Sequence, residues 1–269
     1  MAVPAQNRQG ATAPTAQDEL VRMPLLQHLE ELRRRIIRSL LWLSVAVAVS
    51  WFWADDLLQF LARPIYKYLP PGQKLAVLSV TDPFFIYFKT ALLAGVFIAC
   101  PLILWEAWQF IAPGLYEKER RWVGPFVALG WIFFLGGGAF AFWVAFPFSV
   151  QVLLQMAASF QPVITADRYY SFLLTVVIGL GLMFELPLVL TLLARVGLVS
   201  AGFLMRNFRW AILIIVIAAA VITPTGDAIN LSIFSIPTIG LYLLGVLGAA
   251  IMGKRRKAAA AARESAAEA

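Results

Sequence analysis

The chain has 269 residues, 61% hydrophobic and 14% charged, against roughly 45–50% and roughly 25% in soluble domains. With a mean hydropathy of +0.79 it carries more apolar surface than a soluble globule can hide; the 20 Phe and 9 Trp exclude disorder, and the single cysteine, Cys100, excludes a disulfide scaffold. An all-α polytopic membrane protein remains, and its net charge of +7 then reads as membrane topology and gives no reason to expect a nucleic-acid partner.

Residues 1–22, rich in Ala and Gln, read as a disordered tail ahead of a membrane domain spanning 23–253. The domain opens on PLLQHLEELRRRI, Pro24 to Ile36, where Leu25, Leu29, Leu32 and Ile36 fall on one helical stripe. His28, Glu31 and Arg35 flank that stripe, whereas Glu30 and Arg34 point away from it. Both Glu–Arg spacings are (i, i+4), the pattern of an ordinary solvated pair.

A spanning helix needs about 20 mainly apolar residues. Six stretches qualify or nearly do: Ile36 to Trp53, Phe84 to Trp108, Val123 to Phe146, Phe172 to Leu193, Trp210 to Ile222 and Ile229 to Met252. The first is preceded by too long a polar segment for a cleaved signal, so it reads as a retained helix. Ala54 to Pro83 reads as an exposed loop with a short helix lying on the membrane. After the second span comes WEAWQFIAPGLYEKERRW, where Pro113 and Gly114 stop the helix. There Glu117 and Glu119 stand among Phe110, Tyr116 and Trp122, a setting suited to a guanidinium, which pairs with carboxylates and stacks on rings. Pro101, Glu106 and the Gly136–Gly138 run read as helix-shaping residues.

Glu185 lies inside the fourth span, where an ionisable group is costly; it reads either as a functional residue or as a structural hydrogen bond, with Pro187 bending the helix beside it. The fifth span is too short for a normal bilayer. GAAIMGKR, Gly248 to Arg255, is a failed P-loop with no strand before it. Residues 254–269 read as a basic, then disordered, tail. One histidine and one thiol cannot furnish the usual metal or nucleophile–base sets, so no metal, no cofactor and no enzymatic activity is expected.

With the N-terminus in the cytoplasm, 17 of the 22 basic residues lie on the cytoplasmic side. Arg63, Lys67, Lys74, Lys89 and Arg168 fall outside. The bias holds at every loop and predicts two cytoplasmic termini.

Taken in order, HLEELRRR at 28–35, LARPIYKYLP at 61–70, DPFFIYFK through CPLILWEAWQFIAPGLYEKERR at 82–121, GLMFELP at 181–187 and VITPTGD at 221–227 resemble the TatC family, the polytopic subunit of the twin-arginine protein translocase. The resemblance covers about Met23 to Met252. It implies six helices in a bacterial cytoplasmic membrane, and a receptor that binds the Arg-Arg signal peptides of folded cargo and recruits single-span TatA and TatB partners. Export would be driven by the proton motive force, and the chain would sit as a homo-oligomer within a larger complex embedded in membrane lipid. The family's signal-binding glutamates fall on Glu31 and Glu119, with Leu29, Arg33, Phe110, Pro113 and Tyr116 shaping the patch. Pro64 matches the first periplasmic loop and Glu185 the intramembrane acid. Thr223 and Asp227 match the partner-docking corner, where Thr225 and Gly226 stand in place of the family's proline pattern. The rival reading is a proton-coupled secondary transporter using Glu185, although neither inverted repeats nor a midplane polar cavity is legible. A membrane enzyme is the weaker rival, since no catalytic set is present.

Overall fold

The apolar runs fold as helices because in hydrocarbon every backbone N–H and C=O must find a partner within the segment itself. The computed structural model describes residues 16–69, 74–111, 123–160, 163–223 and 227–267. Ten α-helices follow one another there: α1 (Ala16–Trp51), α2 (Ala54–Tyr66), α3 (Asp82–Ile111), α4 (Val123–Phe140), α5 (Phe146–Met156), α6 (Ala166–Phe184), α7 (Leu186–Val196), α8 (Ala201–Arg206), α9 (Phe208–Ile222) and α10 (Ala228–Ala267). A π-helical turn, Ala141–Ala145, joins α4 to α5.

Four helical stretches are long and apolar enough to cross a membrane: Asp82–Phe110, Gly124–Met156, Ala166–Val196 and Ala228–Gly253. A fifth crossing is made by α1 only when it is taken together with α2, from which it is bent by 85°, and α9 is a shorter apolar helix of 15 residues. At 1.5 Å per residue α9 covers roughly 22 Å, short of the roughly 30 Å of bilayer hydrocarbon. α1 lies along α3, α4 along α6, and α10 along α7, while α3 also touches α4 and α6.

The segment from 54 to 83, expected as an exposed loop, is partly folded into the bundle. Leu61, Ala62, Pro64 and Ile65 are buried on one face of α2. The hydroxyls of Tyr169 and Tyr170 donate to the carbonyls of Leu61 (2.8 Å) and Leu58 (2.9 Å). An isolated bridge between Ala76 and Thr165 ties the same segment to the start of α6. The cause is an apolar stripe at helical spacing, which buries itself once Tyr169 and Tyr170 supply polar partners. A second difference is at the chain ends. α1 reaches back to Ala16 and α10 runs on to Ala267, so helix extends into both stretches expected as disordered tails. The alanine-rich run after Met252 has high helix propensity and no proline to stop it.

The glycines of α4 mark its close approaches. A Cβ on Gly138 would lie 2.3 Å from the Phe97 ring, and one on Gly137 would lie 2.8 Å from the Leu180 carbonyl. Below the π turn the same span changes partners: Phe146 is fully buried and meets Tyr169 edge-on at 5.4 Å. The main core gathers there, with Leu173, Val176, Leu180 and Phe234. Outward faces stay apolar, as at Leu41, Trp143, Ile214 and Leu244, which suits lipid contact.

Candidate functional site

Among the described residues, three polar clusters contain residues expected from the sequence to be functional. The first is at the end where α1 begins and α3 finishes. Because residues four apart share a helix face, Glu31 and Arg35 project together from α1 toward α3. The Arg35 Nη1 donates to Glu106 Oε2 at 2.8 Å and also to Gln109 Oε1, and its Nη2 reaches Glu31 Oε1 at 3.3 Å. Glu106 is the deepest member, with 9% of its side chain exposed, against 31% for Glu31 and 17% for Arg35. One guanidinium thus bridges two carboxylates from different helices.

Glu30 and Arg34 behave differently. They meet at 3.5 Å with about two-thirds of each side chain in solvent (69% and 64% exposed), which is the ordinary solvated pair the spacing suggests. The ring of His28 stacks on Phe110 at 4.3 Å, closing the gap between the start of α1 and the end of α3. Leu29 (60% exposed) and Arg33 lie on the open side of α1. Nearby, Trp108 stacks on Phe126 at 4.9 Å with the Arg195 guanidinium 6.0 Å from the Phe126 centroid, so α4 and α7 reach the same end. Leu29, Glu31, Arg33 and Phe110 are therefore brought to one end of the molecule. Pro113, Tyr116 and Glu119 lie outside the described residues, in the connection between Ile111 and Val123.

Glu106, expected to shape the helices, is the buried anchor of the cluster. Its pairing with Arg35 spans 71 positions in the chain and leaves no local sequence mark. The available signal was an ionisable residue in the last turns of an apolar span, which has to find a partner.

The second cluster is Glu185, at the joint between α6 and α7. It is 8% exposed, and neither carboxylate oxygen has a hydrogen-bond partner among the described residues. A Cβ placed on Gly130 would sit 3.2 Å from its Oε2, and the same Cβ would crowd Leu104 and Leu188. Pro187 is buried in the first turn of α7, as expected of a residue that breaks the ladder there.

The third is the corner between α9 and α10. The buried Thr223 hydroxyl donates to the Ala219 carbonyl at 2.8 Å, and Asp227 caps α10 by accepting from the Asn230 backbone N–H at 2.8 Å. Residues 224–226 lie outside the described residues. Pro64 sits in α2, on the face packed into the bundle at the far end from Glu31. Among the described residues no group of three or more His, Cys, Asp or Glu could hold a metal ion.

The model of one protein family, described as Sec-independent protein translocase protein (TatC), matches residues 27–237. A protein of Koribacter versatilis named Sec-independent protein translocase protein TatC is 43% identical over 237 residues, covering 87% of this chain and 88% of its own length. A protein of the same name from Desulforapulum autotrophicum is 37% identical over 234 residues. A crystal structure described as the twin arginine translocase receptor TatC superposes with a TM-score of 0.74 at 32% identity, covering 84% of this chain and 99% of that one.

Proposed function

From the premise that the chain belongs to the TatC family of Sec-independent protein translocases, we propose that it is the membrane receptor for the paired arginines of export signal peptides. The family makes it a non-enzymatic transport protein of the membrane, working within a translocase. The finer reading places both termini in the cytoplasm of a bacterial cell and the Glu31 end at the inner membrane face. A signal peptide's guanidiniums pair there with Glu31 and Glu119, while Leu29 and Phe110 offer apolar contact to the residues around them. Single-span TatA and TatB partners dock along α9 and the Thr223–Asp227 corner, and the proton motive force drives export. Family membership gives no support to the small-solute transporter reading.

The observation that carries this proposal is Arg35 itself. A guanidinium already rests between Glu31 and Glu106, so this surface has the charge, spacing and partial burial that suit an arginine side chain. The test is binding of a synthetic Arg-Arg signal peptide to the purified protein. Glu31→Ala, Glu119→Ala and an Arg-Arg→Lys-Lys peptide should each weaken binding by roughly tenfold, the loss expected for a charge-assisted hydrogen bond. Unchanged affinity in all three would remove the carboxylates from recognition.

A further inference from the structure

We propose that Glu106 is a positioning residue which keeps Glu31 open to an incoming guanidinium by drawing Arg35 toward itself, so that the ion pair to Glu31 is the longer of the two; the inference rests on the receptor reading above. Left to the spacing of α1 alone, Arg35 would pair with Glu31, its (i, i+4) neighbour, and neutralise it. The structure shows an unequal division instead. Arg35 Nη1 is 2.8 Å from Glu106 Oε2 and is shared with Gln109, whereas the contact to Glu31 is a single approach at 3.3 Å.

Burial explains the preference. With 9% of its side chain exposed, Glu106 has little water to fall back on and holds the guanidinium firmly, whereas Glu31, 31% exposed, can be solvated by water in its place. A carboxylate offers about four lone-pair sites, so one long contact leaves Glu31 with room for a second donor. Charge counting agrees. Glu31, Glu106 and Arg35 together carry one net negative charge, which attracts one cation more than Arg35 supplies. Neutralising Glu106 removes that surplus and frees Arg35 to close on Glu31. Glu106 therefore sets how strongly the surface binds an arginine without touching the peptide.

Competition and simple structural support give opposite results in a double variant. The readout is the affinity of a synthetic Arg-Arg signal peptide for the full-length protein in detergent, with a Lys-Lys peptide as control. Glu106→Gln should weaken Arg-Arg binding about fivefold, the size of one partly exposed ion pair. Adding Arg35→Gln to Glu106→Gln should return the affinity to within about twofold of wild type, since the internal competitor has gone. Wild-type binding by Glu106→Gln, or a double variant no better than the single one, overturns the inference. Should Glu106→Gln fail to fold, Glu106→Asp keeps the charge and shortens its reach, and the same pairing with Arg35→Gln is read. A parallel Glu31→Gln separates the two levels. If it binds normally the receptor reading fails; if it loses binding while Glu106→Gln does not, only the present inference fails.

Discussion

Glu106 and Glu185 are buried to nearly the same degree, 7% and 8% exposed, yet one has a guanidinium at 2.8 Å and the other has no hydrogen-bond partner among the described residues. The difference comes from what faces each of them. α1 brings Arg35 to Glu106, whereas α4 brings a glycine, Gly130, close against Glu185 and supplies no charge to pair with it. A carboxylate satisfied inside the chain contributes to holding two helices together. One left unsatisfied costs stability.

The contrast can be broken most forcefully at Arg35. Arg35→Ala would leave Glu106 buried without its cation, and a loss of about 3 kcal/mol in thermal or denaturant unfolding of the detergent-solubilised protein is expected. A change under about 1 kcal/mol would mean that the bridge does not hold α1 to α3. Glu185→Leu should act in the opposite sense, stabilising the purified protein by about 1–2 kcal/mol as an unsatisfied polar group is replaced by a side chain that packs with Leu104 and Leu188. Export measured in cells should fall in the same variant. Destabilisation would show instead that Glu185 is satisfied in the folded state. The smallest effect is expected at the exposed pair: Glu30→Ala should shift stability by no more than about 0.5 kcal/mol, because two-thirds of each partner already lies in water. A larger shift there would erase the distinction between the outward and inward faces of α1.

Much of the architecture is written in composition, since lipid admits few alternatives to apolar helix. The second, third, fourth and sixth expected spans each appear as one long helical stretch, and the brevity of the fifth is visible in the sequence itself. Less legible is anything decided by distant partners. The apolar stripe of α2 could be read as a surface helix until Tyr169 and Tyr170 are found beneath it. Glu31 and Arg35 satisfy a local pairing rule so well that the rule conceals the third participant on α3. Glu185 was legible as costly because its cost is local, set by its place in an apolar run. Helix extension beyond Met252 follows from alanine content, which reads equally as low complexity when no partner surface is in view.

The π turn at Ala141–Ala145 lodges one surplus residue in the span from Gly124 to Met156. A surplus residue rotates everything after it by about 100° relative to an unbroken helix. The upper half of that rod can accordingly nestle its glycines against Phe97 and Leu180 while the lower half aims Phe146 at Tyr169, two docking directions that a regular helix could not serve at once. A substitution that alters the contacts of Gly137 and Gly138 therefore need not re-aim Phe146, because the turn of five residues sets the two directions independently.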